Sequence, residues 1–341
     1  MTYGFGIIGC GTIAPVFADA IAHLDRARLV AVSDVVEERA RAFAARYGAS
    51  WHTDYGDLFR RDDVHIVCVL TWSGKHADVG VAAALAGKHV ITTKPVDVTL
   101  PKIDRLITTC RDQRVKLAAI HQMRSFDSFV RAKRAIDEGR LGRIHFGNVF
   151  IPWCRTQEYY DSAEWRGTWQ WDGGGCLMNQ GIHCVDLLQW LVGPVAEVQA
   201  YADTLAHRIE VEDAAVAALR FESGALGVIM GSSAVYRGLP SRIEVLGATG
   251  NVVVEGEDII RWQVGEEEEI AALGGSTLGA TDPQAGLADA VAGHVEQIGD
   301  FLRAIEEDRP PFVSGEEARK SVAIVLAIYE SARTGRPAKP G

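Results

Sequence analysis

Asn179 and His183 lie four residues apart, just after Gly173-Gly174-Gly175 and just before Asp186. Imidazole is the side chain whose ordinary pKa lies nearest neutrality, so His183 is a candidate for removing a proton from a hydroxyl. Asn179 cannot take a proton, but its amide can hydrogen-bond a hydroxyl group. If the segment is helical, the spacing sets both on one face, which continues to Asp186 and Trp190. Leu177, Cys184, Leu188 and Leu191 then form an apolar face, and Gly193-Pro194 ends the helix. A histidine on a helix is more often structural than catalytic. Two features favour chemistry here: the glycines allow close approach of a backbone or ligand, and the start of the chain carries a cofactor signature.

That signature is Gly9-Cys10-Gly11-Thr12-Ile13-Ala14, between the apolar strand Tyr3–Ile8 and a helical pattern through Phe17, Ile21 and Leu24. Gly9 permits the tight turn, Gly11 lets the backbone approach a pyrophosphate, and Ala14 allows close helix–strand packing. Thr12 and Ile13 begin the helix whose N-terminus would face the phosphates. A second apolar strand, Arg28 to Ser33, ends in Asp34, which is placed to bind the ribose hydroxyls. The following Val35-Val36 supplies no cation for a 2′-phosphate, so NAD is expected rather than NADP. Asp34 could equally cap the helix Glu37 to Tyr47.

Strand and helix signals alternate through residues 1–122, which predicts a doubly wound parallel sheet of the Rossmann type. Its ligands should sit beyond the carboxyl ends of the strands. Thr71, Trp72, His76, Thr93 and Lys94 fall there as cofactor contacts, and Arg124 as a substrate contact. His76 and His121 read as structural or cofactor-lining. Residues 123–341 form a second α/β domain, for substrate and oligomerisation. Its long alternating segments predict a large, mostly antiparallel sheet with one open face. The late helices Gly293 to Glu306 and Glu316 to Arg333 are expected to return to the first domain. The open face favours a homo-oligomer, a dimer or tetramer.

The segment Trp153 to Trp171 is dense in aromatics and arginines. Trp153, Tyr160, Trp165 and Arg166 are expected to contact the C–H faces and polar groups of a sugar-like ring. A packed loop or a subunit interface would use the same residues. A net charge of −10 argues against nucleic-acid or anionic-membrane partners. Six scattered cysteines fit reduced thiols in the cytoplasm, and no spacing suits a metal site. The glycine loop begins at residue 9, which leaves no room for a signal peptide.

In order and spacing, Gly9–Ala14, Asp34, Thr71-x-x-x-x-His76, Thr93-Lys94-Pro95, Gly139-x-x-Gly142 and Gly173–Asp186 together resemble the Gfo/Idh/MocA oxidoreductase family over nearly the whole chain. The resemblance implies hydride transfer between nicotinamide and a ring hydroxyl of a sugar or cyclitol. It places Lys94 beside the reacting hydroxyl, supporting an alkoxide, and makes His183 the proton acceptor with Asn179 positioning substrate. The chain departs from the family pattern at Thr93, usually Glu, at Trp72, usually Pro, and at Asn179, often Asp. Asn179 and the run Trp165–Trp169 resemble a subgroup that includes UDP-N-acetylhexosamine-type 3-dehydrogenases, the alternative function. A non-catalytic NAD-binding regulator is the alternative from another class; retention of Lys94 and His183 argues against it.

Overall fold

The computed structural model describes residues 2–270 and 287–341. The chain divides into two compact units, Met1–Gln122 with Leu287–Arg319, and Met123–Gly286 with Lys320–Gly341.

In the first unit, β1 (Tyr3–Ile8), β2 (Ala27–Ser33), β3 (Ser50–His52), β4 (Ile66–Val69), β5 (His89–Thr93) and β6 (Leu117–Ile120) form one parallel sheet. Their order is β3-β2-β1-β4-β5-β6, so the chain reverses direction across the sheet between β1 and β4. The connecting helices are α1 (Ala14–Ala22), α2 (Glu37–Tyr47), the single turn α3 (Gly56–Phe59), α4 (His76–Leu85) and α5 (Leu100–Asp112). Every residue of β1 and β4 is buried, as strands covered on both faces require. Phe5, Ile7, Phe17, Ile21, Ile66 and Phe301 anchor the core. Phe301 comes from α9 (Leu287–Glu306), whose Gln297 accepts from His121 N–H at 2.9 Å and donates to the His121 carbonyl at 2.7 Å.

The second unit begins with α6 (Asp127–Asp137) and β7 (Ile144–Pro152), followed by the short α7 (Gln157–Asp161) and α8 (Ile182–Val192). Seven strands follow: β8 (Val195–Asp203), β9 (Ala214–Phe221), β10 (Leu226–Ser232), β11 (Arg242–Gly247), β12 (Gly250–Glu255), β13 (Asp258–Val264) and β14 (Glu267–Ile270). The sheet order is β14-β13-β12-β11-β7-β10-β9-β8, antiparallel throughout except for β7 with β10. Burial alternates along β9 and β10, so one face is packed and the other open. Helix α8 lies on the packed face against β7 and β11. Gly147 makes room for it, since a Cβ there would lie 2.5 Å from Val192 Cγ2. Glu267–Glu269 lie in edge strand β14, held by Arg131 on Glu269 and Arg140 on Glu267. The last helix is α10 (Gly315–Thr334); expected in the first unit, it belongs from Lys320 onward to the second, where the Ser331 hydroxyl accepts Ala200 N–H at 3.0 Å.

Candidate active site

The chemistry-bearing residues fall in both units, and each set is built by a different means. In the first unit, backbone shape does the positioning. Gly9 has φ +98°, and a Cβ there would lie 2.5 Å from the Leu70 carbonyl oxygen, so the turn needs glycine. Gly11 is exposed, and a Cβ there would meet nothing within 4 Å, so the outer side of the loop is clear. Thr12 is exposed and Ile13 half-buried. The N-terminus of α1 carries no side-chain cap and no acidic residue, while Ala14 is fully buried against the core. The clear loop and the helix N-terminus without an acidic side chain fit a dinucleotide pyrophosphate. The Asp34 carboxylate accepts from Cys10 N–H and Val36 N–H, each at 2.9 Å. It therefore braces the glycine loop against the end of β2. It does not cap α2 by side chain, because the cap residue is Val36. Burial and the Asp34 charge push the Cys10 thiol up to about 12, so it is a packing group rather than a thiolate.

Thr71 and Trp72 follow β4; Thr93 ends β5, and Lys94 follows it. The Thr71 hydroxyl oxygen is buried without a protein partner, and Trp72 is 46% exposed. Lys94 precedes Pro95 across a cis peptide bond. His76, expected as a cofactor contact, is instead buried behind this rim. Its Nδ1 lies 2.7 Å from the Pro95 carbonyl and its Nε2 3.0 Å from the Thr71 carbonyl. Burial lowers its pKa, against the pull of those carbonyls, and the ring spans two loops. Asp97, unremarked in the sequence, is fully buried and accepts from Ala77 N–H at 2.9 Å, fixing the start of α4.

In the second unit, buried carboxylates do the positioning. The single helix expected from Asn179 onward is two pieces. A π turn covers Cys176–Gln180, closed by Gly181 N–H on the Cys176 carbonyl at 2.7 Å, and α8 starts at Ile182. Asn179 thus sits in the π turn and His183 in the first turn of α8, 9% exposed. Glu212 holds the start of the π turn. Its carboxylate accepts from Gly175 N–H at 2.8 Å, Leu177 N–H at 2.9 Å and Tyr329 O–H at 2.8 Å, and its carbonyl accepts from Cys176 N–H at 3.1 Å. A Cβ on Gly175 would lie 1.8 Å from that carbonyl oxygen, and one on Gly174 2.2 Å from Tyr329 Oη. The glycines admit protein backbone and a tyrosine. Burial raises the Glu212 carboxyl, while the N–H and O–H donors oppose that shift.

Arg124, expected to contact substrate, is 1% exposed and forked onto Asp186, with Nε and one terminal nitrogen each 2.7 Å from a carboxylate oxygen. It also lies over Trp190. Its guanidinium serves α8. Trp153 and Tyr160, expected as ring contacts, are buried too. The Tyr160 hydroxyl bonds Ser233 at 2.7 Å, and its ring packs on His207. Trp165 and Arg166 remain half-buried, with Arg166 4.2 Å from the Tyr159 ring and 4.7 Å from the Trp165 ring. Arg155 approaches the same Tyr159 ring at 5.5 Å and donates to Gln180 Oε1 at 2.8 Å. Gln180 donates to the Tyr159 hydroxyl at 2.7 Å, and Arg166 donates there as well. Two guanidinium groups and a tyrosine are therefore gathered beside the Asn179 turn. Under the nucleotide-sugar alternative, Arg155 and Arg166 are residues that could supply a pyrophosphate pocket, and Tyr159 belongs to the aromatic segment; nothing in the sequence singles out Gln180.

Residues 3–121 match the model of an oxidoreductase family with an NAD-binding Rossmann fold. Residues 129–253 match the GFO/IDH/MocA C-terminal domain. The myo-inositol 2-dehydrogenase of Thermotoga maritima is 28% identical, over 98% of this chain and 97% of its own. The inositol 2-dehydrogenase of Rhizobium meliloti is 26% identical, over 97% of each. The crystal structure of the WlbA dehydrogenase from Bordetella pertussis in complex with NADH and UDP-GlcNAcA is 36% identical, covers 99% of both chains and superposes with a TM-score of 0.88. The glycine turn, the strand order and both matched regions agree: this chain is an NAD-dependent oxidoreductase of the Gfo/Idh/MocA family.

Proposed function

We propose that the chain oxidises a ring hydroxyl of a nucleotide-linked sugar. The observation that carries this finer reading is the pair Arg155 and Arg166 on either side of Tyr159, next to Gln180 and Asn179. A free polyol has no anionic group to engage two guanidinium groups, whereas a diphosphate or carboxylate does. The relative crystallised with UDP-GlcNAcA is more similar in sequence than the inositol dehydrogenases are. A free cyclitol is the second reading, supported by the names of those relatives.

Bound NAD supplies the hydride acceptor. His183 takes the hydroxyl proton, and its buried position on a rigid helix fixes where that proton goes. The Lys94 ammonium lowers the cost of the developing alkoxide. Asn179 holds the ring by a hydrogen bond. The Asp34 carboxylate and the absence of a nearby cation at Val35-Val36 favour NAD over NADP.

A homo-oligomer through the open sheet face is part of the same proposal. Its register aligns Phe150, Met230, Val216 and Tyr201 across four adjacent strands, an apolar ladder with Tyr201 77% exposed. Light scattering should give the mass of a dimer or tetramer; a monomer would refute it. All six cysteines are free thiols, which supports a cytoplasmic location. No helix among the described residues is long and apolar enough to cross a membrane.

The test is a substrate screen that follows NADH formation with UDP-hexosamine derivatives and free cyclitols, together with inhibition by UDP. Turnover of a UDP-sugar with competitive inhibition by UDP is expected. Turnover of a free cyclitol that is insensitive to UDP would replace this reading with the second.

A further inference from the structure

Asn179 has a buried partner that the proton-transfer scheme does not use. Asp172 is 1% exposed. Its Oδ2 accepts Gly167 N–H at 2.9 Å, and its Oδ1 accepts from Asn179 Nδ2. The two residues flank the turn in which Gly173 and Gly174 take φ of +77° and +155°, and this turn folds the chain back on itself. An asparagine amide has a donor end and an acceptor end, whereas an ionised carboxylate only accepts. The contact therefore selects one of the amide's two orientations, with nitrogen toward Asp172 and oxygen away. At the oxygen end, Gln180 Nε2 stands off at 3.4 Å while it donates to the Tyr159 hydroxyl at the shorter 2.7 Å.

We infer that Asp172 is a positioning residue: it locks Asn179 so that the carbonyl oxygen is presented to substrate, and the enzyme selects rings that donate a hydrogen to it. This rests on the proposed assignment of Asn179 to substrate. An analogue with fluorine or a methoxy group in place of the recognised hydroxyl still accepts but no longer donates, and should be discriminated against.

Reversing the pair gives the test. In Asp172→Asn, the new amide keeps the Gly167 N–H on its oxygen and offers N–H to Asn179, which must turn around. In Asn179→Asp, two carboxyl groups meet at hydrogen-bond distance and cannot both ionise cheaply. One of them then has a folded pKa above its unfolded value. Its contribution is fully present below the unfolded pKa and is lost as pH rises through the folded one. The double variant D172N/N179D restores one amide and one carboxylate in contact.

Stability against denaturant, measured from about pH 5 to about pH 8, reads the contact without any substrate. N179D should approach the parent protein at the acid end and fall away toward the alkaline end, and the double variant should remove that slope. If N179D tracks the parent at every pH, or if the double variant keeps the slope, the pairing is wrong. Discrimination reads the orientation. For the substrate that the parent turns over, each non-reacting hydroxyl is replaced in turn by fluorine. The parent should prefer one hydroxyl by about tenfold or more in kcat/KM, and D172N should lose that preference to within about threefold. Unchanged discrimination in D172N overturns the inference. If the parent turns over no ring substrate, the proposed function fails, and the stability series still decides whether Asp172 and Asn179 are paired.

Discussion

The two units hold their polar groups in different ways. The first presents its residues from the ends of parallel strands: Thr71 after β4, Thr93 and Lys94 at β5, and the glycine loop after β1. Loop geometry and N–H groups do most of the work, with Asp97 buried at the start of α4. The second unit buries four carboxylates within 42 residues: Asp172, Asp186, Glu212 and Asp213, each at most 3% exposed. Each takes two or more donors around the Asn179–His183 segment or the loop beside it. A mononucleotide fold positions ligands by backbone, so its side chains can change with little loss of shape. A segment tied by buried acids depends on each tie, because an orphaned buried charge is expensive.

The largest expected effect follows from that difference. Arg124→Ala strands Asp186 at 0% exposure and should lower unfolding free energy by about 3–5 kcal/mol in a denaturant titration. Breaking the exposed Arg41–Glu37 pair by Arg41→Ala should change it by less than about 0.5 kcal/mol. Equal costs would remove the distinction between buried and surface ties.

Next come the two glycines that the comparison sets against each other. Gly175→Ala must displace the Glu212 backbone and should cost about 1–3 kcal/mol or more in stability. Gly11→Ala meets nothing within 4 Å, so stability should hold while NAD affinity, read by fluorescence titration, falls about tenfold or more. A destabilised Gly11→Ala with normal NAD affinity would mean that the loop serves the fold and not the cofactor.

A smaller effect appears in acid. Burial raises the Asp213 carboxyl, but the N–H groups of Leu205, Ala206 and His207 outweigh it and the net shift is downward. A depressed folded pKa adds stability above the unfolded value and loses it as pH falls through the folded one. Asp213→Asn should therefore flatten the loss of stability below about pH 4, relative to the parent. An unchanged acid limb would assign that loss to other carboxylates.

The same contrast decides what could be read from sequence. Gly9–Ala14 and Asp34 are legible because their task is local, a turn and a strand end within 25 residues. The parallel sheet and most of the antiparallel strands follow from apolar period. The ties of the second unit are not local. Glu212 reaches Gly175 across 37 residues, and Arg124 reaches Asp186 across 62. A lone arginine at the end of a strand looks ligand-facing until its buried carboxylate is known. The period of 3.6 also puts Asn179 and His183 on one helix, because nothing local announces the π turn over Cys176–Gln180, whose start Glu212 holds through Gly175 and Leu177. Trp153 and Tyr160 were legible as aromatic but not as buried.

Lys94 and His183 are proposed to do the chemistry while the glycine loop holds the cofactor. The direct measurement is kcat with NAD titration for Lys94→Ala and His183→Ala beside the parent. Each variant should bind NAD within about threefold of the parent and lose about 10²–10⁴-fold in kcat. Near-normal turnover in either variant would contradict the account.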